Sequence, residues 1–162
     1  MRLNCKRRGF TLIEVLIVMA IILVLSVAGV VSMGKQLMSG HETAVIQEIN
    51  TLHQAEVQYY SQYGQFASSL GELGPPTSGA AGPQAAGLIP EDLGEGQASG
   101  YVWSLASTST GYAISAVPEQ FGKTGSRTFY SDETRTIRNN FSAEPANASS
   151  PAIGAPIKIA KK

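Results

Sequence analysis

Arg7-Arg8-Gly9-Phe10-Thr11-Leu12-Ile13-Glu14, followed by an apolar run that ends only at Gly34 and Lys35, decides how the rest of the 162-residue chain is read. Basic residues stand directly against a Gly-Phe junction, and one acid follows. After it, only Ser26 and Ser32 are clearly polar before Gly34. At a rise of about 1.5 Å per residue, such a run crosses a hydrocarbon core of about 30 Å as a helix. The sequence therefore predicts a membrane-spanning helix over residues 10–34.

Three readings compete for this stretch. Ser26-Val27-Ala28 is a small-x-small site of the kind that ends a secretory signal, but the apolar core exceeds the ~7–15 residues such signals use, and Glu14 interrupts its start. A plain signal anchor needs neither Gly9 nor Glu14. An ionised carboxylate costs up to about 3 kcal/mol at the bilayer centre, so Glu14 calls for a partner. A third reading supplies one.

The string Arg8-Gly9-Phe10-Thr11-Leu12-Ile13-Glu14 resembles the processing motif of type IV prepilins and of their relatives, the pseudopilins of type II secretion. The resemblance implies that a membrane aspartyl protease, the prepilin peptidase, cuts between Gly9 and Phe10 and methylates the new amino group of Phe10. It also makes Glu14 the acid at the fifth mature position, which in that family meets the amino terminus of a neighbouring subunit during assembly. The residue types suit these roles. Gly9 has no Cβ and extends easily into a tight cleft, and pairing an amine with a carboxylate inside a membrane offsets two costly charges.

Charge and cysteine usage fit a translocated, non-enzymatic chain. Arg2, Lys6, Arg7 and Arg8 all precede the proposed cut, so the amino terminus is expected to stay cytoplasmic and the remainder to be translocated. Removing residues 1–9 leaves eight basic residues against 12 acidic ones, a net charge of −4. That balance argues against a dedicated nucleic-acid binder. Cys5 is the sole cysteine and lies in the leader, so the mature chain has neither a disulfide nor a thiol nucleophile.

Five segments follow in order: a leader over 1–9, the transmembrane or filament-core helix over 10–34, and an amphipathic helix over 35–63. A globular head follows over 64–141, then a flexible tail over 142–162. In the third segment Val45, Ile49, Leu52, Glu56, Tyr59 and Tyr63 recur at spacings of three and four, and no stop signal separates Gly34 from Gly64. One helix is thus expected to run from the bilayer into the head. Residues 64–99, rich in Gly and Pro, read as a long loop with a helical turn near Pro90-Glu91-Asp92-Leu93. Tyr101, Trp103 and Leu105 alternate with smaller residues, as do Tyr112, Ile114 and Ala116, and a second hairpin is expected from Arg127–Tyr130 and Thr136–Arg138. The expected fold is α+β, a long amino-terminal helix whose amphipathic half packs on a small antiparallel sheet.

The resemblance extends more loosely to Gln58–Phe66 and to Arg127–Arg138, which are similar to the helix end and last hairpin of pilin-like proteins. The hairpin usually carries a glycine where this chain has Arg135. Pilins of one large class also carry a proline near the position of Val31, and here the first proline is Pro75.

No catalytic constellation is apparent. His41 and His53 lie twelve residues apart, about 120° around a helix, and share no ligand face. His53 and Glu56 read as part of a solvated helix face. Phe121-Gly122-Lys123-Thr124 lacks the first glycine of a phosphate loop. Asp132 with Glu133 suggests either a calcium site or, more simply, a solvated turn. Lys123, Arg127, Arg135 and Arg138 suggest a basic patch balanced by Glu119, Asp132 and Glu133. Asn140-Phe-Ser and Asn147-Ala-Ser match a glycosylation pattern too short to carry weight.

No enzyme activity, metal or cofactor is expected. The resemblance implies a structural filament subunit, with a type II secretion pseudopilin or a membrane-tethered adhesion or binding minor pilin as alternatives. The partners it implies are the prepilin peptidase, other pilin subunits, an inner-membrane assembly platform and, before assembly, membrane lipid. Localisation is expected in the inner membrane first, then in the periplasm or a surface pilus.

Overall fold

The computed structural model describes residues 10–30, 33–108 and 110–154. They divide into two units, Met1–Gln36 and Leu37–Lys162. The first unit holds helix α1 (Leu12–Val30), and helix α2 (Met33–Tyr63) begins in it and continues through the second. Among the described residues no helix is long and apolar enough to cross a membrane. The expectation of a membrane-spanning helix over 10–34 is therefore not met there. The apolar run of the sequence continues through Val31 and Ser32, which lie outside the described residues, as do the leader 1–9 and Cys5 within it.

In the second unit, α2 buries one stripe, Glu42, Val45, Ile49, Leu52, Glu56 and Tyr59, against a sheet, while Gln47, Asn50, Gln54 and Gln58 face water. The helix stops where Gly64 takes φ 72° and its N–H bonds the Tyr60 carbonyl at 2.8 Å, a left-handed closure that suits a residue without Cβ. The sheet is an antiparallel meander, β1 (Gln97–Ala98), β2 (Tyr101–Ser107), β3 (Tyr112–Pro118), β4 (Thr128–Asp132) and β5 (Arg138–Asn140), in that spatial order. Trp103 lies opposite Ala116 and Leu105 opposite Ile114, so the bulky indole meets a small partner and the two aliphatic side chains meet each other across the buried face. The Trp103 indole N–H reaches the Ala98 carbonyl at 3.2 Å, which gives its polar edge a partner inside the core.

Three regions differ from the sequence-based expectation. Residues 64–99 are packed rather than a long loop: besides the expected helical turn, which is α4 (Glu91–Gly94), they form α3 (Leu70–Leu73) and β1, and they bury Leu70, Leu73, Ala86, Ile89 and Leu93. Amides of Ala86, Gly87 and Leu88 bond the carbonyls of Glu72, Gly74 and Leu73, each at 2.8 Å, so the backbone of this region satisfies itself. In the second hairpin the closing strand begins at Arg138 rather than at Thr136, and in the β4–β5 turn Arg135 takes φ 59°, a conformation that costs a non-glycine residue about 1–2 kcal/mol. Its N–H bonds the Asp132 carbonyl at 2.8 Å, while the Asp132 carboxylate accepts from Thr134, and these bonds hold the turn closed.

The third region is the segment expected to be flexible from Ser142. Its described part, to Gly154, is fastened to β5. Asn139 donates to the Pro151 carbonyl at 3.0 Å, Ile153 to Ile137 at 2.9 Å, and the Arg138 guanidinium to Ser150 at 3.0 Å. Ala146 is buried, and Ala152 bridges Arg138 in antiparallel register. Residues 155–162 lie outside the described residues.

Candidate functional site

Helix α1 begins on the Thr11 carbonyl, which accepts from the N–H groups of Glu14 at 3.1 Å and Val15 at 3.4 Å. Glu14 thus stands in the first turn, where the positive end of the helix dipole favours a carboxylate. Phe10 precedes the helix and is 83 % exposed. From Leu12 to Leu25 the large apolar side chains are all exposed, on every side of the helix. The Ser26 hydroxyl is turned inward to the Ile22 carbonyl at 2.7 Å and offers no polar stripe. Ala20 leaves a shallow notch bounded by Leu16, Ile17, Ile21, Val24 and Leu25. A helix apolar all round is stable only in apolar surroundings, which means lipid or other helices. Of the three residues assigned to processing and assembly, Phe10 and Glu14 are placed here, and Gly9 lies outside the described residues.

The head holds a buried polar chain where the sequence pattern suggests a solvated face. His53 and Glu56 are buried, His53 at 2 % exposure and Glu56 at 0 %. Ser131 Oγ donates to the Thr136 carbonyl at 3.2 Å and accepts from His53 Nε2–H at 2.8 Å. His53 Nδ1 is then the bare nitrogen, accepting the Tyr112 hydroxyl at 2.7 Å. This directional chain requires a neutral imidazole. Burial, reinforced by the Arg135 charge and opposed by Asp132, pushes the ring down to about 4. Three residues along, burial pushes the Glu56 carboxyl up to about 7; the Ala67 amide opposes this and the Glu72 charge adds to it.

These two shifts act in opposite directions on stability. Below pH 6.5 the unfolded histidine binds a proton that the folded one refuses until about pH 4, so stability falls as pH falls through that window. Between pH 4.5 and about 7 folded Glu56 keeps a proton that the unfolded side chain has lost, so stability falls as pH rises. From pH 4.5 to 6.5 the two effects cancel. The unfolding free energy of the full chain in detergent, measured by urea titration, is therefore expected to vary little with pH there from these two groups. Glu56→Gln removes one arm and should leave a rise of about 1.4 kcal/mol per pH unit over the same window. A variant as flat as the parent would refute this assignment.

The remaining candidates do not converge. His41 Nδ1 lies 3.1 Å from the Thr124 carbonyl, well apart in sequence from the His53 chain. Among the described residues no group of three or more His, Cys, Asp or Glu side chains could hold a metal ion. Of the proposed basic patch, Arg127 pairs with Glu42 and lies over the rings of Phe129 and Phe141, and Arg138 serves the carboxy-terminal segment. Lys123 and Arg135 are exposed.

Sequence reasoning misses the Glu42 site. Glu42 Oε1 accepts the Ser126 N–H and hydroxyl at 2.8 and 2.7 Å, and Oε2 accepts Arg127 Nε at 2.8 Å and Nη2 at 2.6 Å. Burial pushes this carboxyl up, but the Ser126 and Arg127 bonds outweigh it and hold the group below the usual carboxylate range. The one signal along the chain is an acid three residues before Val45, in line with the apolar stripe of α2.

Comparison with known proteins bears on the amino-terminal site. Residues 4–30 match the family model described as the prokaryotic N-terminal methylation motif. No curated protein and no solved structure matches the chain. The chain carries the prepilin-type motif of type IV pilins and pseudopilins, on the residues that surround Gly9, Phe10 and Glu14.

Proposed function

We propose that this chain is a structural subunit of a type IV pilus-like filament, made as an inner-membrane precursor and assembled through its amino-terminal helix. The observation that carries this reading is the methylation motif over 4–30, which takes in a helix whose large apolar side chains are exposed on every side from Leu12 to Leu25. Prepilin peptidase hydrolyses the Gly9–Phe10 bond and methylates the Phe10 amine. Before assembly, the apolar run that continues to Met33 in the sequence holds the precursor in lipid with its amino terminus cytoplasmic. In the filament the same surface meets neighbouring copies, with the notch at Ala20 allowing close approach. Glu14, in the first turn, accepts the Phe10 amine of a neighbour.

A type II secretion pseudopilin is the second reading. It is favoured by the absence of any cysteine after Cys5 and of any proline before Pro75. Both readings share processing and assembly and differ in the filament that results.

Mass spectrometry of membrane-recovered protein should find an amino-terminal N-methyl-Phe10. An intact Met1, or a start at Gly29, would refute prepilin processing. Glu14→Ala should be processed normally yet enter filaments at least about a hundredfold less, because an unpaired buried charge costs about 3–5 kcal/mol. Undiminished incorporation would remove Glu14 from the assembly contact.

A further inference from the structure

We infer that Glu56 is a proton-operated latch: its carboxyl holds the segment that follows α2 closed when protonated and releases it when ionised. The geometry is that of a clasp. Glu56 Oε2 accepts the Ala67 N–H at 3.0 Å, just beyond the Gly64 turn, and its Oε1 is buried with no partner. Glu72, on α3, grips the next residue, with Oε2 on the Ser68 N–H at 2.8 Å and Oε1 on its hydroxyl at 2.6 Å. Two acidic side chains, one from α2 and one from α3, thus hold consecutive amides of one short turn.

Only one of the two is sheltered from water. Glu72 is half-buried, whereas Glu56 is fully enclosed, its partner Ala67 is at 0 % exposure, and Phe66 lies tilted against the Tyr112 ring with centroids 5.2 Å apart. An ionised Glu56 would hold a charge with one oxygen unsolvated and unbonded, facing a second carboxylate, and a buried charge in that position is expensive. A proton on Oε1 removes the charge and leaves the Ala67 bond to Oε2 intact. The group's rise to about 7 agrees with that geometry.

The charged and titratable groups around it do not supply an alternative. Glu72 faces it from α3, Tyr112 from β3, and His53 lies one turn back on α2. Arg135 and Glu133 act on Tyr112 from the β4–β5 turn. Tyr112 is pushed up to about 12 by burial and keeps its proton. His53 is bonded to Tyr112 and Ser131 rather than to the 64–69 turn, so lifting that turn breaks neither of its hydrogen bonds. Local opening therefore follows Glu56 alone, whereas global unfolding follows Glu56 and His53 together. Opening exposes Phe66 and Ala67 and frees the end of α2.

Hydrogen exchange of the Ala67 amide in the full chain in detergent, expressed as protection over the intrinsic rate, tests this. Protection should fall about tenfold per pH unit between pH 5 and 7, about a hundredfold in all, and level off above pH 7, where both states are ionised. In Glu56→Gln it should not change with pH. Constant protection in the parent chain, or an equal fall in the variant, would overturn the latch. If Glu56→Gln does not fold, a carbon-detected titration of the Glu56 carboxyl in the parent chain decides instead: a midpoint near 7 supports the inference and one below 5 overturns it.

Discussion

Glu42→Ala should lower the unfolding free energy of the chain by about 3 kcal/mol or more, one of the two largest effects expected of any single change in the head. The carboxylate receives four hydrogen bonds, from the Ser126 amide and hydroxyl and from two nitrogens of Arg127, and so ties α2 to the strand that follows Ser126. Its side chain is 7 % exposed and that of Arg127 23 %. Truncation leaves a part-buried guanidinium and a part-buried amide without their acceptor, and removing one partner of a buried pair costs about 3–5 kcal/mol. Arg127 is only partly enclosed, so the lower end of that range applies. Because the folded carboxyl lies below its unfolded value, its stabilisation is complete above about pH 4.5 and is lost as pH falls further. The loss caused by Glu42→Ala should accordingly shrink in acid. Urea titrations of parent and variant at pH 7 and at pH 3 check both statements, and an equal loss at the two values would show that packing, not the charged bonds, is responsible.

Gly125→Ala should be as damaging, by a different route. The Cβ it adds would overlap the Tyr101 hydroxyl oxygen and lie 2.6 Å from Cζ and 3.0 Å from Cε2. Tyr101 cannot swing away: it is wholly buried, its ring lies 5.9 Å from that of Phe129, and its hydroxyl donates to the Arg127 carbonyl at 3.0 Å. Overpacking of this kind costs about 1–3 kcal/mol when neighbours can give, and more when they cannot. Here the loss should be about 3 kcal/mol or more. Adding Tyr101→Phe to Gly125→Ala removes the worst overlap but leaves the contact at Cζ, so it should recover part of the loss and not all of it. Thermal melts of the two single variants and the double variant measure that recovery. Full stability in Gly125→Ala alone would mean the loop at 121–125 can move outward freely.

What is legible in the amino-acid sequence is the information that is local along the chain. The stripe Val45, Ile49, Leu52, Glu56 and Tyr59 repeats with the helical period, and Tyr101, Trp103 and Leu105 alternate with the period of a strand, so the helix-on-sheet arrangement follows from side-chain spacing. The motif around Gly9, Phe10 and Glu14 is contiguous and equally readable. Residues 64–99 defeat such reading because Leu70, Leu73, Ile89 and Leu93 are scattered among glycines and prolines without a period, and their burial depends on where the chain folds back. His53 is misplaced for a related reason. Its partners Tyr112 and Ser131 are 59 and 78 residues away, and no pattern along α2 encodes them. The membrane expectation rests on the apolar run through Ser32, part of which lies outside the described residues, and no described helix meets it alone.

The strand-like pairing of Pro151–Ile153 along β5 has a consequence for crowding. The proposed filament would crowd many copies together, and any bare sheet edge is an invitation for a neighbour to add a strand. Here the β5 edge is already occupied by residues 151–153 of the same chain, and the opposite edge, β1, is only two residues long. Lateral annealing of heads into continuous ribbons is thereby blocked on one side and starved on the other. The sheet edges therefore give crowded heads no seam to share, and the continuous run of exposed apolar side chains in the described chain is that of α1.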